Sequence, residues 1–299
     1  MTRLVTPLVK PPPSRGRFQR PPSRRRQVLL LLPALVPIAA LVLATLSALG
    51  LQSLGLMPLV GRPRVSATAY TAIGADLLSA TGLTLAIAAA ATLLAVTVGL
   101  TTALLVVSFT PLSRLVRLSA AATVTVPHLV GAAAVGLLVA DSGVLPRVLG
   151  LSAQQWPDLV AGPFWVAVVL EYAWKEAAFV ALVVGAALAT RVAQYDETAA
   201  LLGAGRLHRL RHVTLPLAAP SLVVAGTISF VYVVGSYEVA WLRGRTYPEP
   251  LPVLAYRLFS SADLAARPEA AAAALVTSLV ATAVASVGLV AARRWRVHA

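Results

Sequence analysis

Six stretches of this 299-residue chain run for about 20 residues or more almost without charge, the length a helix needs to cross a hydrocarbon core of about 30 Å. They cover about 28–49, 77–109, 118–140, 163–190, 221–242 and 269–292. A soluble domain has no use for this many. The segments are apolar on all sides, whereas membrane strands alternate every second residue, so an outer-membrane barrel is disfavoured. The sequence therefore predicts an all-α polytopic membrane protein. With 58% apolar and 12% charged residues, the composition agrees. Cysteine is absent, which excludes disulfides, thiolate metal sites and Cys nucleophiles.

Residues 1–27 hold eight basic residues, no acidic ones and six prolines, and read as a disordered basic cytoplasmic tail. A signal peptide is the rival reading, but the apolar run that follows is too long, so it is expected to stay as the first span. A single membrane domain then occupies 28–299, with its core at 77–292. A net charge of +14 would suggest nucleic acid on a soluble protein. Here the basic residues flank spans, and no nucleic-acid partner is expected. Seventeen Lys and Arg fall on one side and seven on the other, with Lys175 inside a span. The excess marks the cytoplasmic face and places both termini there.

Within the runs, Gly82 and Gly99 invite close helix approach, and Pro127 predicts a kink in the third. Arg114 and Arg117 read as a short turn, 141–162 as an exposed loop or short interfacial helix, and 243–268 as a polar, turn-rich outer loop. The fourth run carries Glu171, Lys175 and Glu176. Intramembrane charges mark pathways by default, yet Glu171 and Lys175 are spaced i,i+4 and can neutralise each other structurally. In the fifth run Ser229, Tyr232 and Ser236 can form one polar stripe, with Glu238 beyond it. These residues are candidates for a translocation path, with interhelical hydrogen bonding as the alternative. His208 and His212 could chelate a metal only with a third ligand, which is not evident, so no metal site is expected.

The segment between runs four and five, 191–220, looks like two amphipathic pieces around a glycine break, acidic first and basic second. It reads Glu197-Thr198-Ala199, three residues, Gly203, nine residues, Val213, one residue, Leu215-Pro216. This resembles the EAA loop, E-A-A-x3-G-x9-I-x-L-P, of the permease subunits of binding-protein-dependent ABC importers, the MetI-like family. Thr198 for Ala and Val213 for Ile are the two departures. The resemblance implies a helical permease fold in a bacterial inner membrane. It also implies a loop that docks on a pair of ABC ATPase subunits, a second permease subunit, and an extracytoplasmic solute-binding protein, all set among membrane lipid.

By position, Glu197, Ala199, Gly203, Leu215 and Pro216 match the docking motif. Leu201 and Leu202 are added as apolar anchors. The only lysines, Lys10 and Lys175, fit no phosphate-binding loop, so no nucleotide cofactor or enzymatic activity is expected of this chain. The runs Gly235-Ser236-Tyr237-Glu238 and Arg267-Pro268-Glu269-Ala270 resemble permeases for polyamines, ferric iron and related small ions, with sugars as a possibility. The competing function is a secondary transporter or channel that uses the span charges as a relay.

Overall fold

The structure, a computed structural model, describes residues 24–107, 111–189 and 192–298. Thirteen α-helices, one π turn and one 3-10 turn appear among them, and no strand. The reading of 1–27 as a disordered tail falls mainly on residues outside this set, although α1 (Arg24–Ser53) already includes its last four. The chain divides into two compact units, 1–45 and 46–299. What is described of the first is the N-terminal part of α1, whose exposed leucines, such as Leu30 and Leu41, suit a lipid-facing helix.

The second unit continues with α2 (Thr68–Ala72) and α3 (Gly74–Val107). Next come α4 (Pro111–Thr125), α5 (His128–Val139), α6 (Val144–Val148) and α7 (Val166–Ala189). After α8 (Val192–Leu201), the short α9 (Arg206–Arg209) winds through a π turn at Leu210–Thr214 into α10 (Leu215–Gly235). The chain ends with α11 (Glu238–Arg243), α12 (Leu251–Phe259) and α13 (Arg267–His298). Five segments are long and apolar enough to cross a membrane: Val28–Ser53, Gly74–Val107, His128–Val148, Arg206–Gly235 and Leu264–Arg294. The fourth run, α7, has 24 residues but carries three charges in its interior and is not among the five.

Four sequence expectations are revised. Pro127 does more than kink the third run. It is extended (φ −59°, ψ 143°), separating α4 from α5, because proline lacks an N–H and disfavours helix in the residue before it. Arg114 and Arg117 lie inside α4 rather than in a turn. The fifth run ends at Gly235, and Ser236 is extended (ψ 133°), so it leaves the helical stripe of Ser229 and Tyr232. The outer loop contains an amphipathic helix, α12, which buries Leu251, Leu254 and Leu258 against Ala270 and Ala273 of α13 and turns Val253 into the cluster of α3, α7 and α10.

Small side chains set the packing. Along α3, Thr84, Ala88, Ala91, Ala95, Gly99 and Ala103 recur every three or four residues and are buried, forming one smooth face. That face meets α7, where Val168, Tyr172, Val180 and Val184 are fully buried. A Cβ on Gly99 would lie 2.6 Å from Val180 Cβ and 2.8 Å from the Ala177 carbonyl oxygen. Gly99→Ala therefore has to push α3 and α7 apart, at a cost of about 1–3 kcal/mol. Gly82, with nothing within 4 Å of an added Cβ, supplies the control. Thermal unfolding in detergent should show a lowered midpoint for Gly99→Ala and an unchanged one for Gly82→Ala. Equal midpoints would refute the tight contact.

Candidate functional site

Two sites emerge, one where the third run breaks and one in the loop before α10. At the break, α4 ends with carbonyl groups that an unbroken helix would have satisfied. The Thr123 carbonyl in particular would bond the N–H that Pro127 lacks. The Lys175 ammonium, reaching from α7, donates to both the Thr123 and the Val126 carbonyl oxygens. Lysine is thus spent on capping α4, and the i,i+4 pair with Glu171 does not form among the described residues.

Glu171 turns instead to His128, the first residue of α5, with Oε1 3.2 Å and Oε2 3.4 Å from Nδ1. The other ring nitrogen, Nε2, lies 3.8 Å from Glu176 Oε1. The imidazole sits between two carboxylates of α7 and packs on Tyr232 of α10, ring centres 4.7 Å apart. Gly131 makes room, since a Cβ there would come within 2.7 Å of Glu171 Oε1. Glu171, Lys175 and Glu176 are all buried, as is Ser229. The hydroxyls of Tyr172 and Ser229 are enclosed there as well. The cluster joins the α4–α5 break to α7 and α10.

Of the proposed path residues, Glu171, Lys175 and Ser229 therefore lie inside helix packing. Tyr232 (38% exposed), Ser236 and Glu238 reach the surface or its margin. Beside Glu238, Tyr237 stacks on Tyr256 with centres 4.9 Å apart, and Trp241 meets Tyr256 edge-on at 5.4 Å. Arg243, read as a loop charge, lies on α5. Its Nε donates to the Ala132 carbonyl at 2.8 Å, and its guanidinium occupies the space that a side chain at Gly136 would need. Nothing local in the sequence signals this contact, because its partner is a main-chain carbonyl 111 residues away.

In the loop, α8 and the α9–π-turn segment are joined by a turn in which Gly203 has φ +83°, a conformation that favours glycine. Glu197 and Gly203 are exposed, Ala199 is half-buried, and Leu215 and Pro216 open α10. Leu201, Leu202 and Leu207 are 88%, 83% and 78% exposed, three large apolar side chains with nothing covering them. Arg209 Nη1 contacts Asp196 Oδ2 at 2.6 Å, tying the second half of the loop to the first. Behind it lies a cavity of about 680 Å³, lined by α3 and α7 residues together with Arg117, Asp196 and Glu197. His208 and His212 stack at 4.1 Å. No group of three metal-ligating side chains occurs among the described residues.

A multi-span helical bundle with a structured, leucine-bearing loop before its last long helices is the build of a transport subunit. Residues 95–296 match the family described as the binding-protein-dependent transport system inner membrane component, and the chain belongs to that family. It is a multi-pass protein of the bacterial inner membrane, and membership displaces the secondary-transporter reading. A sulfoquinovosyl glycerol transport system permease protein, SmoG, of Agrobacterium fabrum (strain C58) is 33% identical over 82 residues, a match spanning 27% of each chain.

The fold is similar to that of a bacterial ABC transporter involved in the import of the acidic polysaccharide alginate (TM-score 0.68, 21% identity, 90% of this chain and 96% of that one). A second structure of the alginate transporter, in complex with an alginate pentasaccharide-bound periplasmic protein, gives a TM-score of 0.70 at 19% identity, over 90% and 96% of the two chains. An amino acid ABC transporter solved with histidines gives 0.57 at 19% identity, over 77% and 99%. At these identities the likeness is one of fold. None of these relatives is described as handling polyamines or iron, so the lean towards that branch, drawn from 235–238 and 267–270, is corrected.

Proposed function

We propose that this chain, with a second permease subunit, forms the translocation path of an ATP-driven importer for a carbohydrate or a similarly hydroxyl-rich organic solute. The loop at 191–220 couples it to a pair of ATPase subunits. An extracytoplasmic binding protein delivers the solute to the opposite face. Hydrolysis belongs to the ATPases, as neither lysine of this chain lies in a phosphate-binding loop. The observation that carries the reading is the loop itself. Three bare leucines stand on a segment whose two halves are turned back on each other at Gly203. Such a surface is costly in water and is stabilised in an apolar groove.

For the solute, the support lies in the exposed margin of α10 to α12, where Tyr232, Ser236 and Glu238 offer hydroxyl and carboxylate partners beside the Tyr237, Trp241 and Tyr256 rings. Rings that present a face next to hydrogen-bonding groups suit a sugar, whose surface alternates C–H and O–H. The sugar-related names of SmoG and of the alginate transporter structures point the same way, while the third structure is an amino acid transporter.

The test uses the ligand recovered from the binding protein that co-purifies with the chain, identified by mass spectrometry and then supplied labelled to cells. Gly203→Asp forces a side chain into a left-handed turn, a strain of roughly 1–2 kcal/mol, and sets a further carboxylate beside the leucines. Uptake should fall to background with membrane insertion unchanged. Undiminished uptake would contradict the coupling role.

A further inference from the structure

We propose that Asp196 and Arg209 are the positioning pair of the loop, a strut that makes its two halves one rigid docking body and so lets ATPase movement reach α7 and α10. The inference rests on the coupling reading above and adds to it residues outside the five matched motif positions.

The argument begins with what holds the loop in shape. Between α8 and α9 the chain turns at Gly203, and an added Cβ at Gly203 or Gly205 would meet nothing within 4 Å. The space beside both glycines is therefore open. Beneath the loop lies the 680 Å³ cavity, so the spans leave this corner undercut. Leu201, Leu202 and Leu207 are exposed and do not pack the halves together.

Among the described residues, a 2.6 Å charge-assisted bond from Arg209 to the Asp196 carboxylate bridges the halves, supplemented by a 3.5 Å contact to the Asp196 carbonyl oxygen. The pair is partly shielded, with side chains 21% and 35% exposed, so water and salt screen it less than a fully open bridge. Arg209 also directly precedes the π turn that runs without interruption into α10. A push on the leucines therefore passes through α8, across the pair and up α10. Without the pair each half yields separately.

The experiment uses the whole transporter, purified through this chain together with its ATPase. Asp196→Arg and Arg209→Asp are made singly and together. Solute moved per ATP hydrolysed, measured in proteoliposomes, should drop at least tenfold in either single variant and return to within about twofold of the original in the double swap. Because the chain has no cysteine, Asp196→Cys with Arg209→Cys can be bridged by a short, reducible bifunctional thiol reagent. Coupling should appear on cross-linking and vanish on reduction in one sample, a reversal that a folding defect does not produce.

Singles that retain full coupling, or a double swap that stays uncoupled while correctly inserted, would overturn the strut. The variant Leu201→Asp with Leu202→Asp separates the two levels. If it sheds the ATPase while the Asp196 and Arg209 variants couple normally, the strut alone fails. If it keeps the ATPase and full uptake, the coupling reading fails as well.

Discussion

Replacing Leu201 and Leu202 together by aspartate is expected to detach the ATPase and abolish uptake while leaving the chain in the membrane. Both side chains are more than four-fifths exposed in the isolated chain, so neither supports its fold, and their removal should not lower its thermal midpoint. Burying a leucine fully contributes about 1.5–3 kcal/mol, and the pair therefore about 3–6 kcal/mol, to an apolar interface. At 1.4 kcal/mol for each tenfold, the loss corresponds to a weakening on the order of a hundredfold to ten-thousandfold. Two buried carboxylates would add a desolvation cost. Retention of the ATPase on the tagged chain, measured over a range of subunit concentrations, checks it. Binding within threefold of the original would show that the leucines meet something other than the ATPase.

The second large effect is expected inside the membrane. Lys175→Met removes the donor that satisfies the Thr123 and Val126 carbonyls at the Pro127 break and leaves the buried Glu171 and Glu176 short of a compensating charge. Breaking a buried charge arrangement from one side costs about 3–5 kcal/mol. In a chain of this size that lowers the thermal midpoint by roughly 6–20 °C. Adding Glu176→Gln to Lys175→Met restores the charge balance but not the cap, so recovery should be partial. A Lys175→Met protein within 2 °C of the original would mean that the α4 carbonyls find another donor and that the lysine is dispensable to the fold.

The comparison of these two sites shows where sequence is informative. The loop was legible because its logic is local. A glycine that must take φ +83° and a proline that opens α10 lie within fourteen residues of each other, and their spacing survives without tertiary information. Helix existence was legible for the same reason, through length and apolarity. The interior of the membrane was not. The i,i+4 spacing of Glu171 and Lys175 satisfied a local rule, but a proline 48 residues upstream had left carbonyls that compete for the ammonium more effectively. His128 is placed by the same proline between two carboxylates of α7, a position that no local spacing signals.

Helix ends tell a similar story. The fifth run regains apolar residues at Val239 to Leu242, so hydropathy carried it past Gly235, where the backbone turns extended at Ser236. For α12, the apolar residues at Leu251, Leu254 and Leu258 are helical in period, but nine residues flanked by proline and serine passed for loop. Its burial depends on Ala270 and Ala273 of α13 and on Thr84, whose hydroxyl accepts the Leu251 N–H at 2.8 Å. Short helices of this kind are fixed by their neighbours more than by their own sequence.

The central claim is that this chain works as the membrane half of an ATP-driven importer, reached through its loop. The most direct measurement purifies the tagged chain from its native membranes in mild detergent, identifies what comes with it, and follows solute entry into proteoliposomes containing the recovered complex. The account predicts a Walker-motif ATPase in the complex and accumulation that requires both ATP and the binding protein. A chain that repeatedly purifies alone and moves solute without ATP would contradict it, and the charges of α7 would then have to be examined as a relay.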